Sequence, residues 1–122
     1  MRQKSYQDLL VWQQAISLVE DIYKQTASFP RTEDYVLASQ MRRAAISVPS
    51  NIAEGSGRGS DKEQIRFLWI VLGSLRELEC QLIIAERLKL LRESELELAQ
   101  SRIESIEKLA KGLIRSLETV QT

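Results

Sequence analysis

The chain has 122 residues, 43% apolar and 28% charged, with five glycines and two prolines. That is enough for one hydrophobic core, and it favours neither a disordered tract nor a loop-rich β fold. Lysine plus arginine equal aspartate plus glutamate at 17 each, so no overall field draws the molecule to nucleic acid or an anionic membrane, and any such partner must be met through a local patch.

In chain order, Ser5-Tyr6-Gln7-Asp8 reads as a capping box that starts a first helix near Tyr6. Leu9, Trp12, Ala15, Ile16, Val19, Tyr23 and Thr26 follow at helical spacing as its inner face, and Val11, Leu18 and Ile22 form a second stripe beside them. Two stripes are more than a monomeric bundle needs and leave open either a subunit contact or a deep seat in the core. Phe29-Pro30 ends the helix.

Thr32 is the expected N-cap of a second helix, with Glu33 and Asp34 in its first turn, where the helix dipole favours negative charge. Its inner face is Leu37, Met41, Ala44, Ala45, Val48 and Ile52. Pro49 removes the amide that would bond the Ala45 carbonyl, which predicts a kink there; Ser50 can reach the Ile46 carbonyl, and Asn51 offers its amide to an open carbonyl nearby. After Glu54, Gly55, Gly57 and Gly59 permit the left-handed conformation that closes a helix.

Ser60-Asp61-Lys62-Glu63 opens a third helix with the seam Leu68, Val71, Leu75, Leu78, Leu82 and Ala85. Phe67, Trp69, Ile70 and Leu72 make its first half apolar almost all round, which predicts a central or interfacial helix. The small pair Gly73-Ser74 is expected to admit a neighbouring backbone at the Pro49 kink. A last helix begins at the box Ser94-Glu95-Leu96-Glu97 and carries Leu96, Ala99, Ile103, Ile106, Ala110, Leu113, Leu117 and Val120 at alternating steps of three and four. The segments 6–28, 33–56, 61–91 and 95–120 predict an all-α, antiparallel up-and-down four-helix bundle with a proline-kinked second helix, one domain over residues 1–122.

Chemistry is sparse. With one cysteine, Cys80, and no histidine, an internal disulfide, the usual metal ligand sets and histidine-assisted nucleophiles are excluded. Cys80 reads as a packed or half-buried thiol. The glycine-rich run 55–60 follows a helix where a phosphate loop requires a strand, and it lacks the Gly-Lys-Ser/Thr ending. No catalytic, cofactor-binding or metal residue is expected, nor a small-molecule substrate. The polar N-terminus MRQKSYQDLL is no signal peptide, and the apolar run 67–72 is far short of the roughly 20 residues that cross a bilayer, so a cytoplasmic protein free of membrane is expected.

Adjacent helical positions point about 100° apart, so Arg42 and Arg43 differ in role: one outward or across a subunit contact, the other near the interior beside a carboxylate such as Glu54, Glu77 or Glu79. From Arg42 to Arg66, five basic residues (Arg42, Arg43, Arg58, Lys62, Arg66) face three acidic ones (Glu54, Asp61, Glu63). Repeated around a ring, that excess could hold phosphates. Trp12 and Trp69 are expected in the core rather than as stacking platforms.

Asp8-Leu-x-Val-Trp-Gln, Ile22-Tyr23, Phe29-Pro30, Gln40-Met-Arg-Arg-Ala-Ala, Pro49-Ser-Asn-Ile-Ala-Glu-Gly, Phe67-Leu and Gly73-Ser-Leu-x-Glu-Leu-Glu together resemble the four helix bundle protein family, also called the 23S rRNA-intervening-sequence protein family. The resemblance covers nearly the whole length. It implies a homopentameric ring of antiparallel bundles and marks Pro49, Asn51, Glu54, Gly55, Gly73, Ser74 and Glu77 as structural motif positions. A related branch, the accessory proteins of diversity-generating retroelements, binds nucleic acid on a basic pentamer surface, from which this chain departs in its zero net charge. The expected function is a non-enzymatic homo-oligomer with an assembly or adaptor role. The alternative is a nucleic-acid-binding accessory that grips RNA or DNA through Arg42 or Arg43, Arg58, Lys62 and Arg66.

Overall fold

The computed structural model describes residues 5–33 and 36–120. Four helices account for most of them: α1 (Leu10–Thr26), α2 (Leu37–Ser56), α3 (Asp61–Arg87) and α4 (Glu93–Val120). Each packs on its sequence neighbours and α4 closes back onto α1, while the diagonal pairs stay apart. Short connections force neighbouring helices to alternate in direction. Side chains fix the register: Gln25 near the end of α1 donates to the Glu95 carbonyl at the start of α4 at 3.2 Å, and Arg102 of α4 reaches Asp21 at 3.0 Å and Gln14 at 3.2 Å on α1.

The starts of the helices follow local chemistry more finely than the capping boxes suggested. The Ser5 hydroxyl accepts from the Gln7 amide at 3.2 Å, so Tyr6–Asp8 form a separate 3-10 turn and α1 begins only at Leu10. Leu9 between them is extended, and Tyr6 meets Trp12 edge to face at 5.3 Å. Thr32 does not cap α2: it lies in a 3-10 turn, Arg31–Glu33, and α2 starts after Val36 with no side-chain cap. Asp34 and Tyr35 lie outside the described residues, as does the side chain of Val120. Of the Ser60 box the serine half forms, its hydroxyl accepting from the Glu63 amide at 3.2 Å, while both Glu63 carboxylate oxygens accept from Arg66. At α4 only half a box exists, two residues early: the Glu95 carboxylate accepts from the Arg92 amide at 3.0 Å and the helix starts at Glu93.

The core confirms the seams of α2 and α3 residue by residue; in α4, Ile114 is buried where Leu113 was expected and Leu113 and Leu117 pack at its margin. In α1 the two stripes exchange roles. Val11, Ala15, Leu18 and Ile22 are the core, Leu9, Trp12 and Val19 flank it, and Tyr23 is exposed. The helix is turned by roughly one residue, about 100°, from the expected orientation.

Pro49 is buried inside an α2 that runs on to Ser56. Asn51 does supply an amide to a carbonyl, that of Ser47 at 2.8 Å, and the Ser47 hydroxyl donates to the Ala44 carbonyl at 2.7 Å; Ser50 is exposed. The expected close approach at Gly73 is absent, for a Cβ there would meet nothing within 4 Å. It occurs instead at Gly55, where a Cβ would stand 2.6 Å from the Phe67 Cβ, so this glycine lets α2 and α3 converge rather than closing a helix. Of the three glycines at the α2 exit, only Gly59 is left-handed, with φ 81°.

Candidate interaction site

The arginine pair divides as expected, with an unexpected partner. Arg43 is exposed. Arg42 is half-buried, its Nε donating to the Thr26 hydroxyl at 2.9 Å and its guanidinium 5.2 Å from the Tyr23 ring centre. Thr26 is fully buried and passes its own proton to the Ile22 carbonyl at 2.7 Å. Arg42 therefore ties α2 to the last turn of α1 without a carboxylate. The acids proposed for it are engaged elsewhere: Glu54 with Arg58 at 2.6 Å, Glu79 with Arg76, and Glu77 with the Gln81 amide at 3.3 Å.

Arg58 and Arg66 both lie over the Phe67 ring, at 5.0 and 4.6 Å, so one aromatic side chain is bracketed by two guanidiniums at the α2–α3 turn. Each is also paired, Arg66 through two bonds to Glu63 at 3.2 and 3.1 Å. The Arg66 hydrogen bond holds the Glu63 carboxyl below the usual carboxylate range, and Glu63 raises Arg66 in turn. Lys62 is exposed nearby. Arg43 lies thirteen residues before Ser56, the last residue of α2, about 20 Å of axial rise from the turn that carries Arg58. The five basic residues thus form two separate groups.

What the sequence reading missed is apolar. Between α1 and α2 runs a surface groove of about 330 Å³, lined by Tyr6, Trp12, Ile16, Val19, Ile46, Pro49, Ser50 and Ala53. Trp69, expected in the core, is 55% exposed, and Ile70, Ile83 and Ile84 are exposed on α3 with it. Trp12 does pack at the core margin. The signal for Trp69 was present in the excess apolar width of α3; which part of that width faces outward depends on helix rotation. Cys80, expected to be packed or half-buried, is exposed among these residues on α3. A polar pocket of about 490 Å³ lies at the α3–α4 turn, between Ser28, Glu86, Lys89 and Arg92. Among the described residues no cluster of three metal-ligating side chains occurs, and no helix is long and apolar enough to cross a membrane.

Helices that close in a ring of sequence neighbours, with outward apolar faces, define an all-α up-and-down four-helix-bundle protein. The chain belongs to the 23S rRNA-intervening sequence protein family, whose model matches residues 7–112. It is similar in structure to a protein of unknown function from the S23 ribosomal protein family of Bacteroides thetaiotaomicron, with a TM-score of 0.77 at 23% identity, covering 86% of this chain and 98% of that one. Among curated proteins no match is found.

Proposed function

We propose that this protein is a non-enzymatic homo-oligomer, a pentamer as the family resemblance implies, with an assembly or adaptor role in the cytoplasm. The observation that carries this reading is the apolar surface left uncovered by a protomer whose own core is complete. The α1–α2 groove and the exposed Trp69–Ile70 region of α3 lie on different faces, and exposed apolar surface of this kind marks association sites. Mass by light scattering tests it at micromolar concentration. A multiple of the 14.0 kDa chain supports assembly, and a single-chain mass refutes it.

A grip on RNA or DNA is the competing outcome. Its cations Arg58 and Arg66 are paired with Glu54 and Glu63 in the protomer, which favours the assembly reading. In gel shifts, binding that weakens steeply with salt and drops on Arg58→Glu would make nucleic-acid binding the function. The expected result is no shift even at low salt.

A further inference from the structure

We propose that the cleft between α3 and α4 beside Trp69 docks a segment of a partner protein that presents one apolar side chain next to a carboxylate. The inference rests on the adaptor role and names the chemistry of what is held.

Trp69, Lys111, Ile114, Arg115 and Glu118 line a surface cleft of about 180 Å³. That is below the roughly 300–1,000 Å³ of pockets that enclose a small molecule, and it suits a single side chain. Its walls follow from the register of the two helices. Arg76 of α3 bonds Glu107 of α4 at 2.6 Å. Trp69 lies seven residues before the arginine and Ile114 seven residues after the glutamate, so in antiparallel helices both stand two turns from that ion pair, at one level. Ile114 is buried and forms the floor, and Trp69, largely exposed, forms a wall. One turn further along α3 is Gly73, where a Cβ would meet nothing within 4 Å, so the indole is open on that side.

The charge at this cleft is uncompensated. Arg58, Arg66, Arg76, Arg92 and Arg102 each have a carboxylate within the protomer, whereas Lys111 and Arg115 are exposed and make no ion pair among the described residues, not even with Glu118. They stand four residues apart on one helix, where like charges repel. The Arg115 Nη2 lies 4.0 Å from the place a Cβ on Gly112 would take, so the guanidinium is folded back onto the turn that carries Lys111. Two cations thus share the rim of a cleft walled by an indole. A carboxylate set between them relieves their repulsion, while Trp69 and Ile114 take the apolar group beside it. Tryptophan and arginine around a small pocket are the residues in which protein interfaces concentrate binding.

The same residues disfavour a nucleic-acid strand. Its charge recurs at every nucleotide, and the cleft itself contains Glu118. A peptide can place one carboxylate at Lys111 and Arg115 and set an uncharged or basic neighbour against Glu118.

The test uses the full chain with Trp12→Phe, which leaves Trp69 as its one indole. Titration at low salt with the capped peptide Glu-Leu-Phe-Glu-Glu is expected to shift Trp69 emission saturably to the blue, and Lys-Leu-Phe-Lys-Lys is expected to leave it unchanged. Reversing both cations, Lys111→Glu with Arg115→Glu, weakens the acidic peptide by roughly tenfold and lets the lysine peptide bind, with circular dichroism verifying that the variant stays helical. No saturable response to the acidic peptide, an equal response to both peptides, or a response that survives the charge reversal overturns the site. A response to oligothymidylate in place of the peptide makes the cleft a nucleic-acid site, and a lower light-scattering mass for Trp69→Glu makes it a contact between copies; either result overturns the proposal. A multi-chain wild type that ignores the acidic peptide leaves assembly standing without this site. A single-chain wild type that binds it leaves this site without assembly.

Discussion

Two single residues show how tightly this small bundle is specified. Gly55 sits where α2 and α3 converge, and a Cβ there would be 2.6 Å from the Phe67 Cβ. Gly55→Ala gains helix propensity but forces the two backbones apart, and overpacking of this kind costs about 1–3 kcal/mol. The expected result is a Tm lowered by several degrees in thermal melts. Phe67→Ala in the same chain does not restore it, since alanine keeps the obstructing carbon. Lys89 has φ 64° and closes α3: its amide bonds the Glu86 carbonyl at 2.9 Å and the Leu90 amide bonds the Ala85 carbonyl at 2.8 Å. That is the Schellman pattern, with a lysine at the left-handed position usually taken by glycine. Lys89→Gly removes a strain of about 1–2 kcal/mol at a smaller entropic cost. It is expected to stabilise the protein by ~0.5–1 kcal/mol in urea unfolding.

At the scale of elements, the start of α4 depends on one carboxylate. The Arg92 backbone amide, and secondarily its side chain, hold Glu95 below the usual carboxylate range against the opposing effect of burial. A folded value below the unfolded one means stability that is present above the unfolded value and lost as pH falls through the folded one. Glu95→Gln is therefore expected to cost about 0.5–1 kcal/mol at neutral pH. Its melting curve should converge with wild type once the pH falls below the lowered folded value of Glu95; a difference that persists in acid would mean the carboxylate charge is not what matters. The same element shows what periodicity reveals. The seams of α2, α3 and most of α4 were legible because one apolar stripe dominated each. In α1 two stripes compete, and the choice is made by tertiary contacts, Arg42 on Thr26 from one side and Arg102 on Asp21 from the other. Local spacing carries neither. For the same reason Gly73 and Gly55 exchanged roles: a glycine in a helix signals a close approach or open space, and only the neighbouring helix decides which.

At the scale of the whole molecule, the fold could be read and the interaction surfaces could not, because a surface belongs to residues far apart in sequence. The groove joins Trp12 to Pro49, and the five basic residues, contiguous as a count, separate into two groups along α2 and α3. A protomer that covers its apolar faces only by assembling should gain stability by mass action, since the assembled state binds further folded copies and the unfolded state does not. Wild-type Tm is accordingly expected to rise with protein concentration. A hundredfold increase would add up to about 2.7 kcal/mol per copy where each association step lies within that range. Ile46→Glu, in the α1–α2 groove, should show a Tm independent of concentration. The comparison separates assembly from intrinsic stability, because Ile46 is already exposed in the protomer and its replacement removes little from the core. A wild-type Tm that does not move with concentration, alongside a multi-chain mass at room temperature, would instead mean that the copies separate below the melting temperature and the protomer melts on its own.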